Sequence, residues 1–339
     1  MHRSEITIDL AALRRNVATL LRSLSGAELW AVVKANAYGH GAADAAGAAL
    51  GAGARALCVA TVAEGLELRR EFPAARILVM GPAGNRETAE ARDARLELVV
   101  GSDEVPAGVR VHLKVDTGMG RWGLSELPAP PVEVVGLMSH LATADTDGAY
   151  AERQIERFRT ATASYSHLTR HIANSAGALR YPSARFDAAR CGIALYGASP
   201  FGADPADDGL EPVLSWTSQL AQTRLLRAGE STGYGRRFVA ERDTWIGIVP
   251  VGYADGFRRD LTGTTVRVGG ELRPVVGTIS MDALAVELDR ELPPGTPVVL
   301  IGRGLPVEEH ARVAGTIAYE ILCRIDSGST RARRVVVDG

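Results

Sequence analysis

The stretch Glu28-Leu-Trp-Ala-Val-Val-Lys-Ala-Asn-Ala-Tyr-Gly-His-Gly-Ala-Ala-Asp-Ala-Ala-Gly-Ala-Ala-Leu50 reads as one complete structural unit. Its opening run, Glu28–Val33, is almost wholly apolar, which suits a short strand buried on both faces. Ala42–Leu50 places apolar side chains at helical spacing, and the glycines Gly39 and Gly41 separate the two elements. The alternation recurs downstream. Ala56–Thr61, Arg76–Gly81, Leu96–Val100, Val109–Asp116, Val132–His140 and His171–Asn174 read as further strands, with helices over Val62–Phe72, Arg86–Ala94 and Ala151–Tyr165. Repeated strand-then-helix units imply a parallel sheet, because each crossover returns the chain to the same end of the sheet. Their number predicts an α/β fold, a closed (β/α)8 barrel of the TIM type over residues 10–212, better than a half-sized open sheet. No Gly-x-Gly-x-x-Gly follows the first strand, which argues against a dinucleotide fold.

The texture changes after about Gly197. Ser199 to Pro212 is rich in Pro, Gly and Asp and reads as a linker. Beyond it, Trp245–Val251, Thr265–Val268, Pro274–Ile279, Leu284–Leu288 and Pro297–Ile301 read as strands, with Glu308–Ile325 as one helix. A mostly β C-terminal domain is therefore expected over residues 213–339. The N-terminal residues 1–9 are grouped with it, since the strand Ile6–Asp9 precedes the barrel and is free to pair with the later sheet.

Of 339 residues, 46% are hydrophobic and 23% charged, the profile of a globular chain and not of a disordered one. The net charge of −2 gives no electrostatic argument for nucleic acid. No apolar run reaches the ~18 residues of a membrane span, and the first ten residues lack the layout of a signal peptide, so a cytoplasmic protein without a membrane partner is expected. Cys58, Cys191 and Cys323 sit singly in apolar segments and read as reduced core thiols; no Cys/His set has metal spacing.

Within the 38 basic residues, only Lys34 and Lys114 are lysines. A bias toward arginine explains the missing lysines but not the two that remain. An arginine cannot serve where an amine must lose its proton and react, because a guanidinium stays charged. Lys34 follows the first strand, and the C-terminal ends of barrel strands form the face that carries active sites.

The run Ala31-Val-Val-Lys34-Ala-Asn-Ala-Tyr38-Gly-His-Gly41 resembles the cofactor motif of alanine racemases, in which the lysine carries pyridoxal phosphate covalently. Further blocks follow in the family's order. They are His112-Leu-Lys-Val-Asp-Thr-Gly-Met-Gly-Arg121, Ser139-His140-Leu-Ala, His171-Ile-Ala-Asn-Ser175 and Arg190-Cys-Gly-Ile-Ala-Leu-Tyr-Gly197, then Gly233-Tyr-Gly235, Val251-Gly-Tyr-Ala-Asp-Gly256, Ser280-Met-Asp282 and Ala318-Tyr-Glu320. The resemblance implies interconversion of L- and D-alanine, supplying D-alanine for peptidoglycan, by two bases on opposite faces of the substrate. These are Lys34 and Tyr234, the latter contributed by the other subunit of a homodimer whose active sites are shared between chains. A phenol titrating near ~10 needs cationic neighbours to act as a base, a role the resemblance gives to His140 and Arg190. Arg190 is also expected to face the pyridine nitrogen, with His171 positioning it. Tyr38, Asn174, Ser175, Gly192, Ile193 and Tyr319 match the remaining cofactor ligands, Ser175 opening a short helix over Ala176 to Arg180. Arg121 and Met281 match the substrate-carboxylate site, and Tyr253 and Tyr319 the gate of the substrate channel. The resemblance makes Lys114 a candidate for carbamylation, which would turn a cation beside Arg121 into an anion.

One position departs from the family. Thr278 stands close to where an arginine is frequent, which bears on the charge of the outer channel, and Arg259 is expected to supply part of it. A serine or broad-specificity racemase of the same fold is the main alternative, since one methylene or hydroxyl discriminates only modestly. A decarboxylase on the same framework would place an acid, not Arg190, opposite the ring nitrogen. A barrel-only carrier of the cofactor would lack the β domain and Tyr234.

Overall fold

A computed structural model describes residues 2–339. The chain divides into two compact units: the stretch up to Ala12 together with 202–207 and 211–339, and residues 13–201 with 208–210.

The second of these is a closed, parallel barrel of eight strands. The strand β1 (Ser4–Asp9) precedes it, and Asp9 caps the helix α1 (Leu10–Leu24) by accepting the Ala12 amide at 2.9 Å. Leu13, Val17, Leu20 and Leu24 give α1 its buried stripe. There follow β2 (Glu28–Val32), the single turn α2 (Lys34–Tyr38), α3 (Ala42–Gly51), β3 (Ala56–Val59), α4 (Val62–Glu71), β4 (Ile77–Val79), α5 (Asn85–Asp93), β5 (Glu97–Val100), β6 (Val111–Lys114) and β7 (Val134–Met138). The circle ends with α6 (Gly148–Thr162), β8 (Thr169–His171), α7 (Ser175–Arg180) and β9 (Ala188–Cys191), which pairs with β2 from Glu28↔Ala188 to Ala31↔Cys191 and so closes the barrel. Strands such as β3 and β4 are buried at every residue, as a sheet covered on both faces requires.

Several expected boundaries move. β8 ends at His171, where a strand was expected to begin, because His171-Ile-Ala-Asn174 leads directly into the capped turn of α7. β9 and α1 are elements that the apolar runs did not single out. Val109–Asp116 and Val132–His140 shorten to β6 and β7, and Val132 is exposed.

The other unit is built on a nine-stranded sheet in the order β11-β14-β17-β16-β15-β18-β10-β1-β19. Its members are β10 (Leu214–Gln219), β11 (Gln222–Leu226), β14 (Thr244–Val249), β15 (Thr265–Val268), β16 (Glu271–Val276), β17 (Leu284–Leu288), β18 (Pro297–Ile301), β19 (Arg333–Val337) and the N-terminal β1. The short pair β12 (Ser231–Thr232) and β13 (Phe238–Val239) stands apart from it. β1 buries Ser4, Ile6 and Ile8 in alternation and runs antiparallel to β10 and parallel to β19. The single helix expected over Glu308–Ile325 is two, α8 (Val307–Val313) and α9 (Ala318–Arg324). Gly315 between them takes φ +63, a left-handed value that ends a helix. Cys58 and Cys191 are buried, but Cys323 on α9 is exposed, contrary to its reading as a core thiol.

Candidate active site

Lys34 leaves the C-terminal end of β2 into an unusual turn. Ala35, Asn36, Ala37 and Tyr38 have φ values of 51, 52, 54 and 53°, a run of left-handed residues that ordinary side chains avoid. Hydrogen bonds hold it. The Glu64 carboxylate accepts the Ala35 amide at 2.7 Å through Oε1 and the Ala60 amide at 2.7 Å through Oε2, and Asn36 Oδ1 accepts the Ala42 amide at 2.9 Å. The turn leaves Lys34 half-buried and carries Tyr38 inward, its ring 5.1 Å from that of Tyr196. A Cβ at Gly192 would lie 2.5 Å from Tyr38 Oη, so only a glycine leaves that hydroxyl its place.

Arg190 on β9 is 3% exposed and lies in register with Trp30. Its Nη1 donates to His171 Nδ1 at 2.5 Å and to the His171 carbonyl at 3.0 Å; Nη2 donates to the Ser139 carbonyl at 2.8 Å. These bonds agree with the expected hold of His171 on Arg190. Nε is buried without a hydrogen-bond partner. Such a donor is costly to leave unmet, and the aromatic nitrogen of pyridoxal phosphate is an acceptor of the kind it lacks. Burial lowers the guanidinium to about 10, still protonated at neutral pH. His140 behaves otherwise. Its Nδ1 is 3.3 Å from Arg190 Nη2, and burial together with Arg190, Arg121, Lys114 and Lys34 pushes it down to about 3. It is therefore a neutral group, which leaves Arg190 as the cation of the expected pair.

The loops after β8 and β9 meet at Ser175. Its Oγ accepts the Gly192 amide at 3.0 Å and the Ala194 amide at 3.4 Å. Asn174, not Ser175, is the N-cap of α7, its Oδ1 accepting the Gly177 amide at 2.9 Å. Tyr38, Ser175, Gly192 and Ile193 are thus gathered into a cradle of hydroxyls and backbone beside Arg190, donors of the type a phosphate needs.

Lys114 ends β6 and is almost wholly buried. Its Nζ donates to the Trp122 carbonyl at 2.5 Å and stands 4.3 Å from the centre of the Trp122 ring. Burial and the Arg121 cation lower it to about 8, against a weaker opposing pull from Asp116. The Asp116 carboxylate shapes the next turn instead, accepting the amides of Gly118, Met119 and Gly120 at 2.8, 2.8 and 2.9 Å. Arg121 follows that turn and is exposed.

In the other unit three loops lock together. Gly233 takes φ +77 with its α-carbon so close to β16's exit that a Cβ would sit 2.9 Å from the Thr278 nitrogen, and Thr278 Oγ1 donates to the Tyr234 carbonyl at 2.7 Å. Tyr253 and Ala254 donate their amides to the Ser280 and Met281 carbonyls at 3.1 and 3.0 Å. The buried Asp255 accepts the Gly252 amide at 2.8 Å and pairs with Arg331 at 3.0 Å. Tyr234 is 72% exposed and Met281 52%. Tyr253 and Thr278 line a cavity of about 660 Å³ together with Arg237, Arg259 and the carboxylates of Asp260 and Glu320. Tyr319 lies in the first turn of α9, half-buried.

Sequence reading missed Glu64, which supports the turn after Lys34, and Glu97, which ends a chain of buried side chains running from Arg190. The Thr61-x-x-Glu64 pattern was a legible helix-start signal. Glu97 carried no local signal.

Two family models match side by side: the alanine racemase N-terminal domain over residues 8–200 and the alanine racemase C-terminal domain over residues 213–336. Alanine racemase 1 of Bacillus subtilis is 41% identical, over 94% of this chain and 90% of its own length. The crystal structure of the Streptomyces lavendulae alanine racemase superposes with a TM-score of 0.92 at 36% identity, covering 100% of this chain and 98% of that one. A Bartonella henselae alanine racemase solved with covalently bound pyridoxal phosphate has a TM-score of 0.87 at 29% identity, covering 98% and 99%. With the blocks in order and both domains matched, the chain belongs to the alanine racemase family.

Proposed function

We propose that this chain interconverts L- and D-alanine as a pyridoxal-phosphate enzyme, with Lys34 and Tyr234 as the two bases. The observation that carries the reading is the buried, unpartnered Nε of Arg190 beside the Tyr38–Ser175–Gly192 cradle, at the strand ends from which Lys34 also emerges. Pyridoxal phosphate, when bound, supplies the electron sink that makes the α-proton of an amino acid removable. Lys34 would hold it covalently; Tyr38, Ser175, Gly192, Ile193 and Tyr319 would hold its phosphate, with Asn174 setting the α7 turn.

Arg190 governs the strength of that sink. A guanidinium donates and does not accept, so an acceptor meeting Nε stays unprotonated, which restrains the chemistry toward proton exchange alone. Lys34 Nζ moves the α-proton on one face and Tyr234 Oη on the other. Arg121 holds the substrate carboxylate together with the backbone amide of Met281, which like Tyr234 is contributed by the other subunit, and Tyr253 with Tyr319 limits the side chain to a methyl group. Tyr234, Tyr253, Met281 and Ile317 are all exposed although large and apolar or aromatic, the kind of surface a second copy would cover. That supports a homodimer in which Tyr234 serves the partner's barrel. No helix among the described residues is long and apolar enough to cross a membrane.

Circular dichroism of L-alanine incubated with the loaded protein tests the reading. Optical activity should decay to zero, and borohydride reduction with peptide mapping should place the pyridoxyl mass on Lys34. An unchanged signal, or the mass on Lys114, would overturn it.

A further inference from the structure

Arg190 carries a buried positive charge, and no carboxylate of the described residues stands at ion-pair distance from it. Its compensation runs through two imidazoles. His171 Nε2 lies 2.8 Å from His112 Nδ1, and His112 Nε2 lies 2.9 Å from Glu97 Oε2. The directions of these bonds follow from the ends. Arg190 can only donate, so His171 Nδ1 accepts and its proton is on Nε2; His112 Nδ1 must then accept, which puts its proton on Nε2, facing a carboxylate that only accepts. The line is polarised throughout, cation at the barrel mouth and anion at the far end, with two neutral rings between.

The fold makes room for this line. A Cβ at Gly136 on β7 would lie 2.2 Å from His112 Nδ1 and 2.9 Å from the Thr169 carbonyl, so a side chain there would push His112 out of reach of His171. Both rings are wholly buried and pack edge to face at 4.9 Å, each also against Trp30. Glu97 is 3% exposed and is held by Arg76 Nε at 2.8 Å and Arg110 Nη2 at 2.8 Å. Arg76 in turn lies over the Trp30 ring at 4.5 Å.

We propose that Glu97 is a positioning residue for the reaction: acting through His112 and His171, it supplies the anionic end that fixes the Arg190 guanidinium, leaving Nε–H directed to the cofactor ring. The proposal rests on the racemase reading for its consequence, but its geometry does not. With the carboxylate replaced by an amide, the line keeps an acceptor for His112 Nε2–H but loses the anion that polarises it and offsets the buried Arg190 charge, and the order imposed on His171 and Arg190 relaxes.

The test uses the cofactor-loaded enzyme with 15N-labelled histidine. In the wild type, His112 and His171 should both be neutral with the proton on Nε2, each giving a slowly exchanging downfield N–H signal. In Glu97→Gln the His171 signal should shift, and kcat for alanine should fall by about tenfold with KM within about twofold of wild type. Glu97→Asp should recover most of the loss. Arg86→Gln, which removes an exposed ion pair with Glu90 that involves no residue of the line, should leave the His171 signal and kcat unchanged. A His171 signal and kcat in Glu97→Gln equal to wild type would overturn the proposal, leaving Glu97 a structural ion pair. So would a wild-type His171 with its proton on Nδ1, a result that needs no variant and decides the matter even if Glu97→Gln does not fold. A wild type with the expected tautomers but no racemization would sink the proposed function and leave the line itself standing.

Discussion

At the scale of one residue, we propose that Lys114 is kept as an amine because it is carbamylated. Burial beside Arg121 lowers it to about 8, so the neutral amine that carbamylation requires forms far more readily than in an ordinary lysine. A 13C-carbamate resonance should appear on adding labelled bicarbonate, strengthen as pH rises toward about 8, and be absent in Lys114→Ala. Full activity with an unmodified Lys114 in carbon-dioxide-depleted buffer would contradict it. Glu97 titrates the other way. The His112 hydrogen bond and the Arg76 cation outweigh burial and hold its carboxyl at about 2, below its ordinary 4.5. A depressed folded-state value contributes stability that is complete above the ordinary value and lost as pH falls from 4.5 toward about 2. Glu97→Gln should therefore lower stability to urea at pH 7 by up to about 3 kcal/mol, a gap that closes across that acid window. A gap unchanged between pH 7 and pH 2.5 would refute the assignment. The two lysines were legible in the sequence because scarcity marks them. Glu97 was not, because its partners His112, Arg76 and Arg110 are brought to it by strands distant in the chain.

Among the elements, the turn Lys34–Tyr38 was legible as a glycine-bounded loop after a strand, but its left-handed course was not. Ala35, Ala37 and Tyr38 carry no intrinsic preference for positive φ, and the conformation is imposed by Glu64 on α4 and by Asn36. Glu64→Ala frees the Ala35 amide and the capping box together. It should cost about 1–2 kcal/mol of stability and weaken retention of pyridoxal phosphate on dialysis, whereas a distant cap loss would leave retention unchanged. Retention and stability both equal to wild type would show that the turn holds itself. Barrel strands were readable where apolar runs were continuous, as in Ala56–Val59, and hidden where polar or small residues interrupt, as in Ala188-Ala-Arg-Cys191. The long helix expected at Glu308–Ile325 failed for a simpler reason: the apolar spacing continues across Gly315, but the backbone there does not.

At the scale of the molecule, the proposed chemistry divides between the two units. The barrel gathers Lys34, Tyr38, Ser175, Arg190 and Gly192 at its strand ends, and the sheet unit locks Tyr234, Tyr253 and Met281 onto neighbouring loops that are exposed. The motif order made both halves recognisable, yet the loop-to-loop locking through Thr278 and Gly252 depends on backbone approach that no spacing announces. The central claim is that Lys34 of one chain and Tyr234 of another complete one active site. Mixing inactive Lys34→Ala with inactive Tyr234→Phe and allowing full subunit exchange tests it most directly. Half of the dimers become heterodimers with one intact site of two, so activity should recover to about a quarter of wild type. Fully exchanged mixtures that remain as inactive as their parents would contradict it.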